Sequence, residues 1–487
     1  MKRIGYITIL AFLICVWVGS AQAQRKVVLD LEGAVRLAID SSFTTQKHKA
    51  AYDVSRYNYL SWQASRKPQF MFESTPAMYE KYLTRRYLSD ENIDVYRQQR
   101  SFYSQGGITV TQTMEPLGGT FYGSTQLAFL RTFGDTESSQ FTTVPISVGY
   151  KQDNLFFNPL KWDKQLEPLK LTRAEKELAY GIETISEQTV EKFFNLALAQ
   201  DQLRMAEEYL VACDTIYSIA ERRFKIASIS KADLSILELE KTNAQMSLAH
   251  ARIDRQRAMK ELATYLGLEP STDIELTIPD MMEHLLVNAE EAMQHARDNN
   301  PRYIESEQFT IEARRDAEKA RIEKSLNLNL DLNIGLNQVA NRFSDAYKDL
   351  LPKELAAITL SMPIVDWGQR KNAYLAAKSK VETAERTQQE VARDTELDVA
   401  LTVTEFNERQ AIVETARQAL SIAEEAYFQT MRQFIRAQAS TYALTWAQSC
   451  WQTARKNQIA SLKNYWMSYY HLRRLTLYDY QRQQNVR

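Results

Sequence analysis

Residues 326–336 read Leu-Asn-Leu-Asn-Leu-Asp-Leu-Asn-Ile-Gly-Leu, six aliphatic residues alternating without a break with polar or small ones. A period of two over this distance specifies a β-strand with one oily face and one wet face. The run has the length of a tilted membrane-spanning strand, about 9–11 residues. Its leucine face is expected to meet lipid. Its other face, Asn327, Asn329, Asp331 and Asn333, is expected to line a water-filled lumen. The partner strand is read in Ala356, Ile358, Leu360, Met362 and Ile364, which form one face against Ala357, Thr359 and Ser361.

The rest of the chain is of another kind. Glycine and proline are absent from Ile182–Leu266, 85 residues, and again from Gln369–Arg487, 119 residues. Without these breakers very long helices are permitted. Leu196, Leu203 and Leu210 recur at seven, with Val190, Phe193, Ile216 and Ile219 beside them, as in a coiled-coil seam. A helix of ~60 residues is ~90 Å long, which means a rod or a tube.

Seven of the 14 glycines fall between Gly106 and Gly149, in a window rich in Thr, Tyr, Phe and Val. Alternation over Ile108–Thr113 and Val144–Lys151 reads as strands, with turns at Leu117-Gly118-Gly119 and Phe133-Gly134-Asp135. Pro68–Met78, with Phe70 and Phe72 on one face, is a fourth candidate; which two of the four span the membrane is left open, and the surplus pair would build an extra hairpin at one rim. Aromatics such as Phe121, Tyr122, Phe129, Tyr150 and Phe156 suit interface girdles, or plain strand packing.

The two halves match. Glu32, Ala34, Ala38 and Asp40 recur as Glu290, Ala292, Ala296 and Asp298, an offset of 258. The segment around Trp162 recurs around Trp367, an offset of 205, and Phe224-x-x-Ala227-x-x-Ser230 recurs as Phe434-x-x-Ala437-x-x-Ser440, an offset of 210. A tandem duplication explains the shared order. The drop in offset says that the first half holds about fifty extra residues in its strand region. The expected division is a signal peptide over 1–23, a first repeat over 24–274 and a second over 275–487. The first has strands within about 68–152 and a helical pair within about 160–268. The second has a helix at about 288–324, a hairpin at about 326–364 and a helical pair at about 368–476.

Lys2 and Arg3, an apolar stretch from Ile4 to Val18 and Ala21-Gln22-Ala23 form a secretory signal. Gln24, not cysteine, follows the cleavage site, so no lipid anchor is offered there. No later apolar run reaches the ~18 residues that a spanning helix needs. An exported chain of this kind crosses a bilayer only as a closed barrel. Two hairpins give about four spanning strands per chain, and a barrel wide enough to hold side chains takes about eight. The barrel must then close with copies of the same chain. The fold class expected is mainly α with a membrane β-barrel segment. Without the signal, 58 basic residues face 61 acidic ones, which argues against a nucleic-acid partner. Cys213 and Cys450 are too few for a disulfide scaffold and read as buried free thiols.

Met362–Ala373 (MPIVDWGQRKNA), with Pro363, Asp366 and Gly368, resembles the strand-to-helix exit of the TolC family of outer-membrane efflux channels. Leu29–Ser42, Asn300-Pro301, the two Phe-x-x-Ala-x-x-Ser turns and Ala258–Leu268 resemble other parts of that family. The resemblance covers nearly the whole mature chain. It implies a homotrimer in the outer membrane of a Gram-negative cell, reaching into the periplasm. Three chains would form a twelve-stranded barrel and a helical tunnel. A periplasmic adaptor and an inner-membrane pump of the RND or ABC type would feed it, with no cofactor. Export of proteins by a type I secretion system fits the same resemblance. A periplasmic coiled-coil scaffold would explain the helices and leave the strands unexplained.

The resemblance puts the gating, adaptor-gripping tips at Phe224–Asp233 and Phe434–Ala443. Ala227 and Ala437 stand where the family has glycine. Neither Ala443 nor Trp446 is the acid that the family would place there; Asp233 keeps an acid in the first repeat. The reading is a gate narrowed by bulk, Trp446 with Phe434, or else a Trp446 packed between helices. Lys231 and Arg436 near the turns are either adaptor contacts or solvated charges. His48, His250, His284, His295 and His471 show no metal-binding spacing, and no phosphate loop or nucleophile elbow is present. An enzyme is not expected.

Overall fold

The computed structural model describes residues 26–88, 92–133, 137–282, 285–436 and 438–486. The signal at 1–23, the turn at Gly134, His284 and Ala437 lie outside the described residues. The chain forms two compact units. One holds the described residues up to Ala51, Lys176–Pro301 and Ala392 onward; the other holds Tyr52–Glu175 and Arg302–Val391.

The order of helices repeats. In the first half α1 (Leu31–Ser41), α2 (Phe43–Ser65), α3 (Pro159–Lys225) and α4 (Lys231–Tyr265) have 11, 23, 67 and 35 residues. In the second, α5 (Ala289–Asn299), α6 (Pro301–Glu323), α7 (Gln369–Ile435) and α8 (Thr441–Thr476) have 11, 23, 67 and 36. The single helix expected over 288–324 is two helices. Asn300 is extended, with φ −70° and ψ 124°, as the residue before a proline tends to be. Pro301 then opens α6, where its missing N–H costs nothing. A short parallel pair, β1 (Lys26–Asp30) with β6 (Asp273–Thr277), joins segments that precede the two halves' first helices.

The helical unit has its core where Phe193 and Phe194 of α3 meet Val399, Val403 and Phe406 of α7 and Tyr465 and Tyr469 of α8, with Ala34 and Ala292 from the two short helices. Truncating a fully buried ring such as Phe406 to alanine should cost about 3–5 kcal/mol. Charges beside this core are paired: Arg473 meets Glu183 at 2.8 Å and Asp479 at 3.3 Å, and Tyr469 donates to Asp479 at 2.9 Å.

The second unit carries a single antiparallel sheet in the order β2-β3-β4-β5-β7-β8. The strands are Gln69–Leu88, Ile93–Met114, Gly119–Phe133, Ser138–Gln152, Asn327–Ala340 and Leu351–Ser361. The sheet therefore has six strands per chain, where the duplication alone led us to expect four. The fifty extra residues form a full hairpin hydrogen-bonded into the sheet. The turn that joins it to β4 is held beside the helix ends: Glu115 is bound by Arg66 and by Lys164 (2.6 Å), Asn158 donates to the Glu115 carbonyl at 2.7 Å, and Gln152 to that of Leu117 at 2.8 Å. Prolines sit where the ladder slips. Pro76 lies in the shift between Thr75 and Met78, and Pro145 in that between Thr143 and Ile146. Neither can donate to a ladder, so a bulge is where each is tolerated.

The register sorts every strand onto the same two faces. One row runs Phe70, Val110, Gly123, Val148, Ile334, Glu354; the next runs Gln69, Thr111, Tyr122, Gly149, Asn333, Leu355. The first face also carries Phe72, Ile108, Phe121, Ile146, Leu332, Ile358 and Leu360, and all of these are exposed in the chain. From Leu328 to Leu336 this apolar band covers about 26 Å of strand at ~3.3 Å per residue, close to the ~25 Å band of outer-membrane barrels. Among the described residues no helix is long and apolar enough to cross a membrane.

Candidate functional site

Three surfaces carry the residues singled out in the sequence. The first is the polar face of the sheet. Asn327, Asn329, Asp331 and Asn333 lie on it together, opposite Ser361, Thr359, Ala357 and Leu355 of β8. Asn333 donates to Ser147 Oγ at 2.7 Å and to the Tyr122 hydroxyl at 3.1 Å; that hydroxyl donates to Asp331 at 3.2 Å. Asn329 accepts the Asn154 N–H at 3.0 Å. Sequence reading assigned the asparagines to a lumen without seeing that they also tie three strands together. Tyr122 was read as part of a girdle or as plain strand packing; it lies on the polar face. Its position follows from the Gly149 beside it, which leaves room for the ring.

The second is the strand exit. After β8 the chain turns through Trp367 (φ 52°) and Gly368 (φ 85°) into α7. Asp366 caps that helix: its carboxylate accepts the N–H groups of Gly368 at 2.9 Å and Arg370 at 3.2 Å. These two bonds hold its carboxyl below the usual carboxylate range. Pro363 is half-buried, whereas Ile364, Val365 and Trp367 are exposed, Trp367 by 95%. Three apolar residues left bare just past a strand end are suited to a lipid interface or a neighbouring subunit.

The third is the pair of helix-to-helix turns. In the first, the Ser228 N–H reaches back to Arg223 O and the Ala227 N–H to Phe224 O, both 2.9 Å, a Schellman ending with Ala227 at φ 55°. This is the left-handed position that favours glycine, and alanine occupies it. Ser230 then opens α4 in a capping box, its Oγ accepting from the Asp233 N–H at 3.1 Å while the Asp233 carboxylate accepts from Ser230. Asp233 therefore has a structural task as a cap. The second turn repeats the plan, with the Gln438 N–H on Gln433 O at 2.9 Å and Ser440 accepting from the Ala443 N–H at 3.2 Å.

The expectation that Phe434 adds bulk to a lumen is corrected. Phe434 is only 5% exposed and packs with Ile216, Ala220 and Leu237 of the first hairpin and with Leu444 and Trp451 of the second. The apolar ring is held by burial inside the helical unit. Trp446, in contrast, is 63% exposed, with Tyr442 and Ile435 exposed nearby, so it is not packed within its own chain. Phe224, Lys231 and Arg436 are exposed as well. Sequence reading missed Arg223. Its guanidinium donates to the Ile435 carbonyl at 3.0 Å and lies 5.8 Å from the Phe434 ring centre, joining one turn to the other. A basic residue in the last turn of a helix is the only signal that pointed to it.

Next to Trp446 lies an open groove of about 870 Å³, between α7 and α8, lined by Ala411, Ile412, Thr415, Ala416, Thr453 and Ala454 among others. Cys450 borders it and is exposed, a correction to the expectation of two buried thiols. Cys213 is buried, and burial pushes its thiol up to about 11. Both are free. Among the described residues, no group of three His, Cys, Asp or Glu side chains could hold a metal.

No protein-family model and no curated protein matches the sequence. Solved structures do match, among them outer-membrane channels of the TolC type, so the chain has that fold. The Campylobacter jejuni CmeC outer membrane channel aligns over 92% of this chain and 85% of its own, with a TM-score of 0.67 and 12% identity. The Vibrio cholerae outer membrane protein VceC aligns over 92% and 95%, with a TM-score of 0.64 and 13% identity. The open state of the Neisseria gonorrhoeae MtrE outer membrane channel aligns over 92% and 88%, with a TM-score of 0.62 and 13% identity.

Proposed function

We propose that the protein is an outer-membrane exit duct, a homotrimer that reaches into the periplasm and passively conducts substrates driven by an inner-membrane pump through a periplasmic adaptor. The observation that carries this reading is the sheet. Its apolar face is bare on all six strands and its other face is polar. A sheet of that kind is stable in lipid only when its two edges are closed, so the chain must associate with its own copies around a wet lumen. The helical hairpins supply the periplasmic tunnel. Their turns, with exposed Phe224, Lys231, Arg436 and Trp446, supply the gate and the adaptor contact. Asn327, Asn329, Asp331 and Asn333 line the lumen. The small-residue groove beside Trp446 seats a helix of a neighbouring subunit. The fold shared with CmeC, VceC and MtrE supports the same assignment.

The test is cell fractionation followed by native mass measurement of the detergent-extracted protein. An outer-membrane trimer that conducts ions in planar bilayers is expected. A water-soluble monomer in the periplasmic fraction would overturn the reading.

A further inference from the structure

The two edge strands of the sheet are β2 and β8. Each leaves one row of backbone N–H and C=O groups to be satisfied from outside the chain, and neither row can be left open in lipid. The two edges suit one another. β2 leaves the helical end of the sheet at Gln69 and β8 returns to that end at Ser361, so between copies arranged around an axis they meet antiparallel, like every pair within the sheet. Their faces also agree. Phe70 and Phe72 on β2 and Ile358 and Leu360 on β8 belong to the apolar side.

The inserted hairpin does not lie aside from this wall. β3 pairs with β4 over the whole of β4, from Met114 with Gly119 to Arg100 with Phe133. Phe70, Phe72, Ile108 and Val110 continue the apolar band at the level of Val148 and Ile334. Beyond Arg100, β2 and β3 pair for seven further rows, Tyr82 with Gln99 to Leu88 with Ile93, as a two-stranded lip.

We infer that β2 of one copy pairs with β8 of the next, and that three copies close an eighteen-stranded barrel rather than the twelve-stranded one implied by two hairpins per chain. The partner at this surface is a second copy of the same chain. Barrel diameter grows roughly in proportion to strand number, so the outer-membrane pore is about one and a half times as wide as a twelve-stranded one. This rests on the trimeric-duct reading above.

The decisive measurement is single-particle cryo-electron microscopy of the detergent-purified assembly, with the strands of the barrel counted. Three copies, eighteen strands and a β2–β8 seam are expected. Twelve strands closed by β4 against β8, with the β2–β3 hairpin outside the wall, would overturn the inference and leave the duct reading intact. So would a twelve-stranded barrel of two copies, with the trimer then also revised. A monomer would overturn both. Cross-linking in cells gives a second readout. In a Cys213→Ser, Cys450→Ser background, Met71→Cys on β2 is combined in turn with Leu355→Cys, Ala357→Cys and Thr359→Cys on β8, all on the polar face. At least one combination should give covalent trimers on oxidation. Trimers from Ser124→Cys on β4 with those β8 cysteines, and none from Met71→Cys, would refute the seam.

Discussion

Tyr122 lies over Gly149 of the adjacent strand, and a Cβ added at residue 149 would collide with the ring. The same tyrosine hydroxyl reaches Asp331 and Asn333 one strand further on, so one side chain links β4, β5 and β7 across the polar face. Gly149→Val should displace the ring and break both bonds. Overpacking of this kind costs about 1–3 kcal/mol, and the midpoint of thermal dissociation of the purified assembly should fall. Tyr122→Phe keeps the ring and removes only the hydroxyl, a loss of about 1 kcal/mol. Equal stability of Gly149→Val and the parent chain would show that the packing is irrelevant.

Ala227 holds a left-handed conformation at the first helical turn. An alanine there is strained by roughly 1–2 kcal/mol, of which the extra chain freedom of glycine offsets about half. Ala227→Gly should therefore stabilise the turn slightly, and Ala227→Val should destabilise it by more. Hydrogen exchange of the amides at 226–228 reads this directly. It should slow in the glycine variant and quicken in the valine variant.

The sequence showed some of this fold and hid the rest for reasons that can be named. The strand at Leu326–Leu336 was legible because a period of two, unbroken over eleven residues, has no helical counterpart. The 67-residue α7 and the later part of α3 were legible as stretches without glycine or proline; α3 also runs through Pro168 and Gly181, so neither residue ends such a helix. Four strand candidates in the first half and two in the second were legible; that all six join one sheet was hidden. Alternation in Phe70–Phe72 and Ile108–Val110 marks strands but not their neighbours, and register is a property of pairs. Phe434 was misread because a phenylalanine at a turn looks the same whether it faces a lumen or the Ile216–Leu237 cluster. Asp233 had two possible uses, and the Ser230-x-x-Asp233 spacing decided for a cap.

Asp366 ties the strand exit to the start of α7 through the Gly368 and Arg370 N–H groups, and its carboxyl titrates below the ordinary range in consequence. A depressed folded-state value means that ionised Asp366 stabilises the fold. That contribution is complete above the unfolded carboxylate range, about pH 4, and is lost as pH falls through the lower folded value. Exchange at the amides of residues 368 and 370 should quicken below about pH 4 relative to a matched intrinsic rate. Asp366→Asn should show faster exchange already at neutral pH and should lack this acid step. Persistence of the step in the variant would assign it to another carboxylate.

Trp446 stands exposed beside the groove of α7 and α8, one turn beyond the Ser440 cap. If the closed duct is narrowed by bulk at this point, Trp446→Ala should raise the leak conductance of the closed channel in planar bilayers several-fold. Trp446→Phe should raise it less. Unchanged closed conductance in both variants would remove Trp446 from the gate. A fall in trimer yield would instead assign it to the contact between subunits.

The two faces of β7 and β8 predict opposite responses to the same charge. Ile334 points to the apolar side in the row of Val148, within the band and two residues from its centre at Leu332, and an arginine in an outer-membrane barrel costs up to about 2–4 kcal/mol at the mid-plane. Thr359 points to the polar side, opposite Asn329. Asn329 itself is the poorer control, because its side chain accepts the Asn154 N–H. Ile334→Arg should sharply reduce the amount of trimer recovered from outer membranes. Thr359→Arg should assemble normally and instead shift the channel's preference toward anions, because a lumenal charge acts on the ions that pass it. The pair separates the two orientations of the sheet: equal losses of assembly, or a loss confined to Thr359→Arg, would mean that the leucine face does not meet lipid.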